Sequence, residues 1–390
     1  LENATYIVIF GVSVCHMLND IIQSLLSAIY PMLKADFGLS YLQIGLLTFT
    51  FHITASLLQP AIGLAIDKKP MPNSLPLGMF SSLCGLLLLA FAHSYALLLC
   101  GAALIGIGSA IFHPEASRVA RMASGGRFGM AQSFFQVGGN FGQAIGPLLA
   151  AFIIVPRGQG SVAWFALAAL LGMAILYRVG RWYERQRVAM VARGAASRAM
   201  PFDKRYTTMV LVILMLLTFS KNAYTASISS YYTFYTIEKF GVSIQTAQVL
   251  LFVFLGAVAL GTILGGPIGD RIGAKAVIWV SILGVLPFTL ALPYANFEWT
   301  IVLSVLIGIT LASAFPAIVV MAQEMMPGRV GMVAGIFFGF AFGMGGIAAA
   351  VLGLLADARG IEYVYWVCSF LPLAGLLCVF LPGRGTPRIS

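Results

Sequence analysis

Apolar residues run through this chain in long blocks, broken by short clusters of glycine, proline and charge. A helix crossing a bilayer needs about 20 consecutive apolar residues, and the blocks predict crossings near residues 5–33, 41–66, 75–93, 95–114, 128–155, 161–178, 207–236, 244–268, 275–293, 298–322, 330–355 and 361–381. That is twelve. The first block lacks a basic leading stretch and a small-residue cleavage site, and it carries Asp20 at its centre, so it is expected to be a retained helix rather than a signal peptide. The longest polar stretch, RVGRWYERQRVAMVARGAASRAMPFDKR from Arg178 to Arg205, separates six crossings from six. The pattern predicts a bundle at 1–178, a cytoplasmic linker at 179–206 and a bundle at 207–390. Arg181, Trp182 and Tyr183 are expected to anchor the linker at the interface, followed by a surface helix or loose strand of chain.

The two halves repeat one another. FGLSYLQIGLLTFTF from Phe37 aligns with FGVSIQTAQVLLFVF from Phe240, and Asp67 aligns with Asp270, both at an offset of 203. GGRFGMAQSFFQVGGNFG aligns with PGRVGMVAGIFFGFAFG, placing Arg127 against Arg329 at an offset of 202, and His113-Pro114 aligns with Phe315-Pro316 at the same offset. Two diverged copies of one six-helix unit follow, parallel because six is even.

Composition makes the membrane reading firm. The chain is 60% hydrophobic and only 9% charged, where a soluble protein carries roughly 25% charged residues. A net charge of +10 would suggest a nucleic-acid partner in a soluble chain, but with the linker placed inside, 18 of the 23 basic residues fall on cytoplasmic connections. The positive-inside rule accounts for the charge, puts both termini in the cytoplasm and leaves no case for nucleic acid. The five cysteines, Cys15, Cys84, Cys100, Cys368 and Cys378, sit in apolar runs without metal spacing and read as packing residues. No metal is expected.

After the eighth crossing, GPIGDRIGAK runs from Gly266 to Lys275, a glycine-bearing turn with an acid followed by bases; the copy after the second crossing, GLAIDKKP from Gly63, keeps one glycine, the acid and a base. The turn resembles the signature of the major facilitator superfamily. The first copy departs from it by lacking the second glycine and the base beyond it. Physically, such acids offer a charge clamp, and Asp67, Asp270 and Arg271 with Arg127 and Arg329 before the fifth helix of each copy are the expected cytoplasmic gate, against the plainer reading of stop charges at helix ends. In the fifth crossing Gly138, Gly142 and Gly146 recur every four residues and end at Pro147. They predict a smooth face for close helix packing with a bend beside it. The Gly-Pro ending resembles, in part, a motif of the antiporter branch of that superfamily.

Charges inside the hydrocarbon zone are expensive and mark function. His16, Asp20 and Gln23 share one face of the first crossing at i, i+4 and i+7, with Asp20 near mid-membrane. Asp20, His16 and, on the fourth crossing, Glu115 are the expected proton-coupling groups; Glu115 alternatively pairs with Arg118 one turn on, and His113-Pro114 marks a bend. Lys221 is the lysine inside the seventh crossing. Helices one and seven are equivalent in the two copies, so Asp20 and Lys221 are expected to face one cavity, pairing when it is empty. Gln23, His52, Asn140, Asn222, Tyr231 and Tyr232 complete the expected substrate site around Lys221.

Longer strings sharpen the resemblance: LNDIIQSLLSAIYP at Leu18 to Pro31, FHPEASRVARMASGGR at Phe112 to Arg127, AQSFFQVGGNFG at Ala131 to Gly142, FSKNAYTASISSYYTFY at Phe219 to Tyr235 and GMVAGIFFGFAFGMGG at Gly331 to Gly346. Over nearly its whole length the chain is similar to bacterial drug-resistance exporters of the major facilitator superfamily. The resemblance implies a non-enzymatic, all-α fold of two six-helix bundles in the bacterial inner membrane. It further implies export of a small anionic phosphonate in exchange for protons, by alternating access, with no cofactor and as a monomer. Uptake of a small organic or phosphorylated anion with protons is the alternative use of the same fold.

Overall fold

The computed structural model describes residues 5–39, 41–69, 71–192, 202–242 and 244–383. Twelve long helical elements follow in order: α1 (Tyr6–Ala28), α2 (Tyr41–Lys68), α3 (Ser74–Phe91), α4 (Tyr95–Ala123), α5 (Phe128–Leu149), α6 (Ala166–Ala192), α7 (Lys204–Phe240), α8 (Ile244–Ile272), α9 (Ala274–Tyr294), α10 (Phe297–Met325), α11 (Val330–Arg359) and α12 (Ile361–Phe380). Eleven are long and apolar enough to cross a membrane. The remaining one, α5, falls short because Gln132, Ser133, Gln136, Asn140 and Gln143 interrupt its apolar residues, and one of them, Gln143, holds Asp20.

The duplication survives in backbone detail. Gly38 and Gly241, the glycines of the repeated Phe-Gly pair, have φ of 62° and 64°; Gly126 and Gly328 have 89° and 86°; Gly158 and Gly360 have 80° and 84°. Each pair keeps the offset of 202 or 203, and each position is in the left-handed region that a side chain disfavours. Gly125 (φ 59°), opposite Pro327, and Gly273 (φ 95°) break the set. The counterpart of Gly273 is Pro70, the position where the first turn lacks its second glycine.

The chain forms two compact units. One comprises Leu1–Gly126, Phe134–Ala199 and Pro327–Gly339; the other comprises Arg127–Ser133, Met200–Met326 and Phe340–Ser390. The start of α11 therefore belongs to the first unit and the start of α5 to the second. In the first unit α6 continues as helix to Ala192, so the amino-terminal half of the expected linker is an extension of the sixth crossing rather than a separate surface helix. Tyr183 is buried there beneath the Arg118 guanidinium, 5.6 Å from the ring centroid, and is not an interfacial anchor. Residues 193–201, expected as linker, and Arg384 and Arg388, expected inside, lie outside the described residues.

Proline acts differently in the two copies. Helix α4 runs unbroken through His113-Pro114, whereas α10 turns at Ser313 between Phe297–Ala312 and Ala314–Met325. Pro316 has no N–H to give Ala312 four residues back, and the Ser281 and Ser313 hydroxyls meet at 2.6 Å across α9 and α10 at that turn. The core of the second unit is aromatic: Tyr224, Tyr232, Tyr235, Phe254 and Tyr365 are all fully buried. The Tyr235 and Tyr365 rings sit 4.2 Å apart.

Candidate functional site

In the first unit, the glycine face of α5 lies against α1 as its spacing predicts. A Cβ at Gly138 would strike the Ser13 carbonyl, one at Gly142 the Met17 carbonyl, and one at Gly146 the Ser24 hydroxyl. Ser13 Oγ donates to Phe134 O across the same seam, and Ser24 Oγ reaches Gly142 O at 3.4 Å. Gly139 completes the fit, because its Cβ would fall 2.5 Å from His16 Nε2 and 3.0 Å from Asp20 Oδ2. The Pro147 side chain lies outside the described residues.

This close approach brings α5 onto the polar face of α1. His16 Nδ1 donates to Phe135 O at 2.7 Å, and its ring stacks on Phe135 with centroids 4.2 Å apart. Asp20 Oδ1 accepts from Asn19 Nδ2 (3.2 Å) and Gln23 Nε2 (3.0 Å), and Oδ2 accepts from Gln143 Nε2 (3.0 Å). Asp20 lies 3.6 Å from His16 Nε2 and 3.7 Å from His113 Nε2, and the two Nε2 atoms stand 3.2 Å apart. All three side chains are buried. Asp20 is thus held by histidines and amides within its own unit. Two of its partners, His113 and Gln143, were not anticipated: His113 was assigned to a bend, and Gln143 is one polar residue in a glycine run.

Glu115 is fully buried further along α4, and neither carboxylate oxygen has a hydrogen-bond partner. The expected pair with Arg118 does not form as a hydrogen bond. Arg118 Nη1 instead donates to Ile66 O at 2.8 Å and lies 3.9 Å from Asp67 Oδ1. His52 is half-buried on α2 with Nδ1 lacking a partner, and Asn140 is half-buried on α5.

In the second unit, the Lys221 Nζ sits over the Phe315 ring, 5.7 Å from its centroid, a cation–π placement. Among the described residues no carboxylate of this unit pairs with it. Beside it on α7, Asn222 Nδ2 and the Tyr224 hydroxyl are buried without hydrogen-bond partners. Tyr232, expected to touch substrate, is instead a core residue whose hydroxyl bonds Ser304 Oγ at 2.7 Å. Tyr231 is half-buried with its hydroxyl against Gly353, where a Cβ would meet it at 2.5 Å.

The signature turns form two matched clamps. Asp67, at the end of α2, accepts the backbone N–H groups of Gly331 (2.9 Å) and Met332 (2.7 Å), the second and third residues of α11. Asp270, at the end of α8, accepts those of Gly129 (2.8 Å) and Met130 (2.9 Å), the second and third residues of α5. The first N–H groups of a helix lack internal partners and carry partial positive charge, so a carboxylate placed there is well matched. The expected partners, Arg127 and Arg329, are exposed and immediately precede the two helices, and Arg271 is exposed beside Asp270. Both acids accept the N–H groups of a helix start, and Asp67 also pairs with the Arg118 guanidinium at 3.9 Å.

Glycine permits each clamp. A Cβ at Gly63 would collide with the Gly331 carbonyl, and one at Gly266 would lie 2.6 Å from Gly129 O. Gly63 and Gly266 are the first glycines of the two turns, so each turn supplies both the contact surface and the acid four residues later.

Residues 12–243 and 210–389 match the Major Facilitator Superfamily. The chain is 60% identical over 372 residues to the fosmidomycin resistance protein of Escherichia coli (strain K12), covering 95% of this chain and 92% of that one. It is 42% identical over 380 residues to an uncharacterized MFS-type transporter of Bacillus subtilis (strain 168), covering 97% and 93%. Among solved structures, a human organic anion transporter superposes with a TM-score of 0.79 at 17% identity over 98% of this chain and all of that one.

Proposed function

The chain belongs to the Major Facilitator Superfamily and is a multi-pass membrane transporter, and from that premise we propose that it exports fosmidomycin or similar small anionic phosphonates in exchange for protons. The observation that carries the reading is Lys221. Its ammonium lies over an aromatic face and, among the described residues, pairs with no carboxylate of its unit. An anion supplies the missing counter-charge. A buried donor left unpaired costs about 1–3 kcal/mol, more when charged, so a ligand with several acceptor oxygens recovers that cost on binding. The 60% identity to a protein named for fosmidomycin resistance supports a phosphonate over other anions.

The proton side of the exchange belongs to the first unit. Asp20 and His16 lie 3.6 Å apart in a buried polar cluster, and neither oxygen of the buried Glu115 has a hydrogen-bond partner. In the proposed cycle the anion binds from the cytoplasm at Lys221, the carrier alternates, and periplasmic protons load the acids as the drug leaves. Returning protons reset it. The excess of basic residues on the expected inner connections supports a cycle in the bacterial inner membrane with both termini inside. Protons are the only coupling species required, and one chain suffices.

The test is pH-gradient-driven fosmidomycin flux into proteoliposomes. A lumen more acidic than the medium drives accumulation by an antiporter, and the opposite gradient drives it by an importer of anion with protons. Asp20→Asn and Lys221→Ala are each expected to abolish the driven flux. Normal flux in both variants, or accumulation only with an acidic medium, overturns the proposal.

A further inference from the structure

We propose that His16 and His113 hold one proton between their Nε2 atoms, with the Asp20 carboxylate as its counter-charge, so that the transporter's proton site is a three-residue cage in which His113 is an equal member. Nothing in the sequence pattern gave His113 this part. It rests on which atoms carry hydrogen.

His16 Nδ1 lies 2.7 Å from Phe135 O, and His113 Nδ1 lies 2.9 Å from Ser109 O. A carbonyl oxygen only accepts, so both Nδ1 atoms must carry hydrogen. The Ser109 hydroxyl, 3.2 Å from His113 Nδ1, does not alter this, because a bare nitrogen that close to a carbonyl would face it lone pair to lone pair. With both Nδ1 positions protonated, a neutral imidazole has a bare Nε2. Two bare Nε2 atoms would then confront one another at 3.2 Å. One added proton converts that repulsion into an N–H···N hydrogen bond. A second would set two imidazolium rings against each other.

Asp20 fixes the count. Its oxygens accept from three amide groups, Asn19, Gln23 and Gln143, so three donors point at the carboxylate. Oδ2 and Oδ1 then stand 3.6 and 3.7 Å from the two Nε2 atoms, so the carboxylate straddles the shared proton. With one proton aboard the buried cluster is neutral; without it, a carboxylate is buried with no cation. Among the described residues, Phe112 of α4, Phe135 and Gln143 of α5, and Phe338 of α11 pack against the cluster, and none of these is charged. Glu115 lies two residues beyond His113 on α4, with Arg118 and Asp67 among its neighbours. Gln143 is exposed although the three caged groups are buried, so the amide holding Asp20 Oδ2 is the cage's contact with its surroundings.

The same three residues lie close enough to ligate a divalent cation, and Nδ1–H directed at a carbonyl is also how metal-bound histidines are oriented. The amides already occupying both Asp20 oxygens favour the proton.

The inference rests on the proton-coupled reading for its use in transport, while the cage itself is measured apart from transport. In wild-type protein with ¹⁵N-labelled histidine in lipid nanodiscs and excess chelator, NMR near neutral pH is expected to show a scalar coupling between two histidine Nε2 nuclei across one proton, lost in His113→Gln. Two uncoupled neutral rings overturn the proposal. So does a coupling that vanishes with chelator and returns with zinc. In proteoliposomes, the ratio of gradient-driven uptake to drug counterflow is expected to fall at least tenfold in His113→Gln and in His16→Gln; an unchanged ratio in either folded variant overturns the cage's role in coupling. If wild type shows the coupling but no gradient-driven flux, the antiport reading fails and the cage stands.

Discussion

Asp67 and Asp270, 203 residues apart, each receive the second and third backbone N–H groups of a helix that begins in the other copy of the repeat. Charge-assisted capping of this kind contributes about 1–2 kcal/mol at a partly buried helix start. Asp67→Ala and Asp270→Ala are expected to lower the thermal midpoint in nanodiscs, and the asparagine variants to lower it less, since an amide oxygen still accepts one N–H. Alanine variants that melt with wild type contradict the clamp.

Gly63→Ala places a methyl group into the Gly331 backbone and is expected to cost more stability than either aspartate change. Gly345 on α11 is the matched control, because nothing lies within 4 Å of its added Cβ. Gly345→Ala should be neutral or stabilising by up to about 1 kcal/mol, through helix propensity alone. Melting curves of the two variants side by side check the difference.

Lys221→Gln removes the charge and keeps a long polar side chain. Hydrogen bonds to charged groups contribute about 1.5–3 kcal/mol, so the apparent KM for fosmidomycin is expected to rise about tenfold to a hundredfold, and most steeply for the more highly charged phosphonates. Concentration-dependent uptake in proteoliposomes reads this directly. A KM unchanged across a series of phosphonates removes Lys221 from the site.

Two tyrosines on α7 should separate. Tyr232→Phe breaks the bond to Ser304 and is expected to destabilise by about 1 kcal/mol, leaving the Ser304 hydroxyl bonded to Thr300 O. Tyr224→Phe removes a core hydroxyl that has no hydrogen-bond partner, so both the fold and fosmidomycin affinity should be unharmed. Paired measurements of melting and binding on both variants test the contrast.

Glu115→Gln is the corresponding test in the first unit. Neither oxygen of Glu115 is hydrogen-bonded, so the neutral isostere is expected to match or exceed wild-type stability. Loss of gradient-driven flux in that stable variant assigns the acid to coupling; retained flux leaves the cage around Asp20 as the proton site.

What the sequence made legible depended on whether the relevant partner had a side chain to read. The duplication, the twelve helices and the glycine face of α5 are patterns in side-chain size and polarity, and periodicity exposes them. The acids of the two turns were legible for the same reason, but their partners were not. Backbone N–H groups leave no mark in a sequence, and the nearest side chains, Arg127 and Arg329, stood in for helix starts one to three residues away. His113 was obscured by its neighbour: a proline next to it supplied a sufficient local explanation, and only the packing of α4 against α1 brings its Nε2 to His16. Tyr183 and Tyr232 show the converse. An aromatic residue at a helix end or in a polar run is consistent with interface, site or core, and burial decides among them.

The clamps also bear on the duplication. Each consists of an acid from one copy of the repeat and amides from the other, and each copy carries both the acid and the glycine-bearing helix start. Each copy taken alone therefore carries two half-clamps and completes neither. Carrying both copies on one chain makes the completion of each clamp an intramolecular event, at millimolar-scale effective concentration where a short flexible linker joins them.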